Sequence, residues 1–175
     1  MSARRAIGVD MGGTKLLAGA VDIGLGVHHR AQRTVAGLDQ SALLDIAVEA
    51  VDEARKSAGG EVIGVGFGIP ALMDQRTGTA VIAVNLALAN IPFASVMTER
   101  LGLPVFVDND ANVAALAEHR AGAARGRSEA VMLTIGTGIG GGLILRDRVY
   151  RGAIGSGAEL GHMVIEIDGP RCQGN

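Results

Sequence analysis

The chain has 175 residues, 48% of them hydrophobic but only 2% aromatic, and a net charge of −2 from 16 basic and 18 acidic side chains. That length holds one full domain, or one domain and part of another, around a core of Val, Ile, Leu and Ala. The mixed, near-neutral charge argues against nucleic acid or an anionic membrane as partner. No apolar run approaches the ~18 residues that cross a bilayer. Cys172 is the single cysteine, so no internal disulfide forms, and nothing after Met1 reads as a signal peptide. The expectation is a soluble, cytoplasmic protein.

The first apolar run, Ala6–Val9, is joined to a second, Leu16–Val21, by Asp10-Met11-Gly12-Gly13-Thr14-Lys15. Two short apolar runs around a Gly pair read as a hairpin, and a tight turn of this kind aims successive N–H groups at an anion. Thr14 adds a hydroxyl and Lys15 a cation. Asp10 would repel phosphate unless Mg²⁺ stood between them, so the stretch reads as a metal–nucleotide phosphate site. An ordinary surface hairpin with a solvated Lys15 is the plainer alternative.

Val27–Val35 forms a third strand. Apolar positions at three- and four-residue steps predict a helix over Ser41–Ser57, capped by Asp39 or Ser41, and Val62–Phe67 is a buried strand. Gly68–Asp74 reads as a loop, Ala80–Val84 as a short strand, and the residues through Asn90 as loop. A helix follows over Phe93–Leu101, stopped by Gly102, then a strand over Pro104–Val107. Asp108-Asn109-Asp110 caps a helix over 111–121. This order is that of an α/β domain.

Gly122–Ser128 marks a boundary between residues 1–121 and residues 122–175. A strand over Ala130–Ile135 then enters Gly136-Thr137-Gly138-Ile139-Gly140-Gly141-Gly142 and a second strand over Leu143–Leu145, repeating the opening hairpin. Residues 136–141 also satisfy G-x-G-x-x-G, but the dinucleotide fingerprint needs a helix next, and a strand is expected here.

With these stretches placed, the sequence resembles the ROK family of sugar kinases and sugar-responsive repressors, particularly its glucokinase-like members. The matching stretches are Asp10–Lys15, Gly68–Asp74, Pro104–Glu118, Leu133–Gly142 and Glu159-Leu160-Gly161-His162. The resemblance implies the actin-like, ribonuclease-H-like ATPase fold. Residues 1–121 would be an N-terminal α/β lobe carrying the phosphate hairpin and the catalytic Asp, and 122–175 the start of a second lobe, truncated after Asn175.

The implied activity is ATP- and Mg²⁺-dependent phosphorylation of a hexose 6-hydroxyl, with glucose as acceptor; polyphosphate also serves as donor among related enzymes. Asp110 would be the catalytic base, its ionised form favoured at a helix N-terminus; a plain N-cap is the alternative. By the same resemblance Asn109, Glu159 and His162 bind the sugar, with Asn85 a weaker candidate. Thr137 and Gly138 join Asp10, Gly12, Gly13, Thr14 and Lys15 around the phosphates. Zinc-bearing members use the equivalent of His162 with three cysteines, so His162 and Cys172 are candidate ligands of a structural Zn²⁺ whose other ligands lie outside this chain. Members commonly pair as homodimers.

Ala71, Ala89 and Ala158 depart from the family's Gly, Trp and Gly, which bears on the identity of the sugar. The competing readings are a sugar-binding regulator and a catalytically incomplete sugar-binding lobe. A regulator carries a DNA-binding helix-turn-helix ahead of the first hairpin, where only Met1–Arg5 stand here.

Overall fold

The structure, a computed structural model, describes residues 3–136 and 138–170. It opens with an antiparallel meander of β1 (Arg4–Met11), β2 (Lys15–Asp22) and β3 (Val27–Thr34). In β1 the buried Ile7, Val9 and Met11 alternate with Ala6, Gly8 and Asp10, so one face is apolar and the other small or polar.

Helix α1 (Gln40–Lys56) covers the apolar face. Leu43, Leu44, Ala47, Ala50, Val51 and Ala54 are buried at helical spacing. Asp39 caps the helix by accepting from the Ala42 N–H at 2.9 Å, an interaction worth about 1 kcal/mol.

Strand β4 (Glu61–Ile69) runs parallel to β1. A small antiparallel sheet follows, built from β5 (Ala71–Asp74), β6 (Thr79–Ala83) and β7 (Ala89–Ile91). Next come α2 (Phe93–Leu101), ended by Gly102 at φ 62°, and β8 (Val105–Asn109), which pairs parallel with β4. The main sheet therefore has five strands in the order β3-β2-β1-β4-β8. Phe67 of β4 and Phe93 of α2 meet edge to face, ring centroids 5.1 Å apart, which seats α2 on the sheet.

Helix α3 (Asp110–Ala121) leads to a second, three-stranded sheet of β9 (Ala130–Ile135), β10 (Ile139–Leu145) and β11 (Arg148–Val149). A 3₁₀ turn over Leu160–His162 follows. The chain divides into one compact unit that ends at Asp110 and another that starts at Ala111. α3 packs with the second unit, whereas the glycine-rich stretch after it marks the boundary expected from sequence.

Three local expectations are corrected. Residues 68–74 are not a loop: β4 runs to Ile69, and Ala71–Asp74 pairs with β6. The loop expected through Asn90 contains β7. The glycines at 140–142 belong to β10 and not to a turn, because both faces of that strand are closely covered. An added Cβ on Gly142 would meet Ala115 Cβ and the Ala111 carbonyl of α3, and one on Gly141 would lie 2.6 Å from the Ala158 carbonyl. No described helix is long and apolar enough to cross a membrane.

Candidate functional site

Parallel strands end together, so β1, β4 and β8 deliver their last residues to one edge of the first sheet. The register sets Asp10 beside Gly68, and Gly68 beside Asp108. At this edge the apolar alternation gives way to polar residues.

The carboxyl of Asp10 is held above the usual carboxylate range, first by desolvation and then by the negative charge of Asp110. Asp110 is half-buried in the first turn of α3, where the helix end favours a carboxylate. Carboxylates suit a hard divalent cation, and Mg²⁺ takes few protein ligands when phosphate oxygens supply the others. Among the described residues no group of three or more His, Cys, Asp and Glu gathers to hold a metal.

The β1–β2 connection is the expected tight hairpin turn, with one difference in its donors. The Gly12 N–H donates to the Lys15 carbonyl at 2.8 Å, and the Thr14 carbonyl accepts from the Val35 N–H at 3.0 Å. Gly12 thus closes the turn instead of offering a donor to a ligand. Gly13 and Thr14 carry the N–H groups that no described acceptor takes, while Thr14 and Lys15 are exposed.

Gly13 is pressed against Asn85, just beyond β6. A Cβ there would lie 2.8 Å from Asn85 Cβ and 3.2 Å from the Asn85 carbonyl. Asn85, a weaker sugar-contact candidate from sequence, therefore sits against the β1–β2 turn.

Asn109 ends β8, and its Nδ2 donates to the Ala71 carbonyl at 3.5 Å. The carboxylate of Asp108, only 8% exposed, accepts from the Asn109 N–H at 2.8 Å and from Gln75 Nε2 at 2.7 Å. Neither Gln75 nor Asp108 was singled out from sequence as a site residue. Asp108 had a signal, being the first of three polar residues after an apolar strand, but it read as part of a helix cap.

In the second unit Glu159 and His162 bracket the 3₁₀ turn, with Nε2 and Oε2 3.9 Å apart and both side chains about half exposed. The turn lies on β10, where a Cβ on Gly161 would strike the Ile139 carbonyl. Gly138 is exposed, with nothing within 4 Å of an added Cβ, and its carbonyl accepts from the Gly136 N–H at 3.0 Å. A strand, not a helix, follows these glycines, which removes the dinucleotide fingerprint. Thr137 and Cys172 lie outside the described residues.

A model of the ROK family matches residues 6–174. The chain belongs to the ROK family. It is 37% identical over 169 residues to a glucokinase of Streptomyces coelicolor, covering 95% of this chain and 51% of that protein. A xylose repressor of Caldicellulosiruptor bescii is 34% identical over 130 residues, 74% of this chain and 32% of the repressor. Among solved structures, a ROK family glucokinase from Streptomyces griseus in complex with glucose and AMPPNP superposes with a TM-score of 0.87. It is 36% identical, and the match covers 94% of this chain and 52% of that one. The ROK chain thus has the actin-like, ribonuclease-H-like fold, and it spans about half the length of the curated relatives it matches.

Proposed function

We propose that the whole protein is a hexokinase-type enzyme that transfers the γ-phosphoryl group of ATP to the 6-hydroxyl of a hexose, with glucose as acceptor. The observation that carries this reading is that β1 and β8 bring Asp10 and the Asp108–Asp110 segment to one sheet edge, where the Asp10 carboxyl is raised first by desolvation and then by the charge of Asp110. Relatives named as glucokinases support the same class of reaction.

In this reading Asp110 takes the proton of the 6-hydroxyl as its oxygen attacks the γ-phosphorus. The bond from that phosphorus to the bridging oxygen breaks, and ADP leaves. Asp10 would hold Mg²⁺, which supplies neutralisation of the phosphate charge. Gly13 and Thr14 donate backbone N–H groups to the phosphates, and Lys15 adds a cation. Asn109, Glu159 and His162 hold sugar hydroxyls: a carboxylate accepts from adjacent hydroxyls and an imidazole nitrogen accepts another.

The repressor relative favours a second reading, a sugar-responsive regulator. Release of ADP by the whole protein, measured with a panel of hexoses, separates the two. Hexose-dependent release supports the kinase. Saturable hexose binding without any release, together with binding of a specific DNA operator, overturns it in favour of the regulator.

A further inference from the structure

The turn between β5 and β6 is tightly made. The Asp74 carbonyl accepts from the Gly78 N–H at 2.8 Å, and its side chain accepts from the Arg76 N–H at 3.0 Å. Gly78, at φ 66°, lets the turn close onto α2, where its carbonyl accepts from the Ala94 N–H at 3.0 Å. This anchored turn carries Gln75, whose amide reaches the buried Asp108 carboxylate at 2.7 Å. The same oxygen, Asp108 Oδ1, accepts from the Asn109 N–H at 2.8 Å.

A buried carboxylate needs partners, and losing one weakens the hold on it. Among the partners of Asp108 are its own next residue and a turn 33 residues away. The two bonds meet on the residue immediately before Asn109 and Asp110.

We propose that Gln75 and Asp108 are positioning residues that fix the strand-to-helix junction, and so hold Asn109 and Asp110 in the geometry that the sugar and its 6-hydroxyl require. This rests on the kinase reading of Asp110. Gln75 touches neither substrate in that reading; it acts through Asp108. Displacement of a reacting group by about 1 Å lowers turnover by as much as ~10²-fold, so a hydrogen bond that sets the junction moves kcat without touching the nucleotide.

The test uses the whole protein with Gln75→Ala and Gln75→Glu. The Gln75→Glu change sets two carboxylates against each other.

For Gln75→Ala the expectation is about a tenfold loss of kcat, a KM for ATP within about threefold of normal, and a lowered unfolding midpoint. Gln75→Glu loses more than Gln75→Ala, because it replaces a donor to the Asp108 carboxylate with a second acceptor. Hydrogen exchange at the Asn109 amide reads the bridge without any assay of activity, and it speeds up about tenfold in Gln75→Ala. Unchanged exchange at Asn109 in Gln75→Ala, or a kcat no lower in Gln75→Glu than in the unsubstituted protein, overturns the proposal. Accelerated exchange in a protein that phosphorylates no hexose keeps the bridge but overturns the kinase reading and the positioning role together.

Discussion

The carboxyl of Asp10 is raised above its ordinary range first by desolvation and then by the charge of Asp110 at the end of the first sheet. The two aspartates stand in different local settings. Asp10 lies on the hairpin strand with a destabilised charge, and Asp110 lies in the first turn of a helix that favours one.

Asp110→Asn in the whole protein is expected to lower kcat by about 10²–10⁴-fold, the usual contribution of a general base, with hexose affinity kept within a few-fold. Calorimetric titration with hexose and a steady-state assay measure the two separately. The same variant removes the charge that raises Asp10, so the Asp10 carboxyl should titrate closer to its ordinary range by carbon-detected NMR. Near-normal turnover would show that the base lies elsewhere.

Asp10 should cost the chain stability at neutral pH. A carboxyl with a raised folded-state pKa binds its proton more tightly in the native state, so stability falls as pH rises through that pKa. Asp10→Asn is therefore expected to raise the melting temperature at pH 7, with the gain shrinking as the pH drops into the carboxylate range. Melting curves from pH 3 to pH 8 would show this slope. An equal gain at every pH would contradict the assignment.

Gly13→Ala and Gly66→Ala make a matched pair. A methyl group at position 13 would lie 2.8 Å from Asn85 Cβ, whereas one at position 66 meets nothing within 4 Å. Overpacking of the first kind costs about 1–3 kcal/mol, and it should also raise the KM for ATP because the hairpin must shift. Urea unfolding of the two variants should differ by that amount, with Gly66→Ala close to neutral.

Asp22 anchors the β2–β3 turn by accepting from the Gly24 and Gly26 N–H groups at 2.8 and 3.0 Å and pairing with His28. His28 and these backbone bonds hold its carboxyl below the usual range. A lowered folded-state pKa gives stability that is present above the unfolded value and lost as pH falls through the folded one. Hydrogen exchange at Gly24 and Gly26 should therefore accelerate below about pH 4 relative to the opening rate in α1. Acid-insensitive protection there would show that the turn is held by its backbone alone.

What was legible in the sequence was what local chemistry decides. Asp39 capping α1, Gly102 ending α2 and Asp110 opening α3 each follow from a polar residue or a glycine at the edge of an apolar pattern. Gln75 was not legible, since an exposed turn glutamine carries no local sign of a buried partner 33 residues away. Asn85 was a weaker sugar-contact candidate through the family resemblance; its contact with Gly13 was not legible, because it depends on how two hairpins pack. The boundaries of β10 were missed for a related reason. Three consecutive glycines look like a turn until the elements covering both faces of the strand are known.

Those glycines affect how relatives of this chain should be compared. A Cβ on Gly140 would lie 2.5 Å from Thr134 Oγ1 and one on Gly141 2.6 Å from the Ala158 carbonyl, while one on Gly142 would strike Ala115 Cβ. Invariance at these three positions across an alignment would look like the mark of a nucleotide loop, yet a steric demand of the fold would produce it in kinases and repressors alike. Gly136 and Gly138 meet no such demand, having nothing within 4 Å of an added Cβ. A difference between the two kinds of relative at those two positions, and not at the other three, would carry information about a ligand.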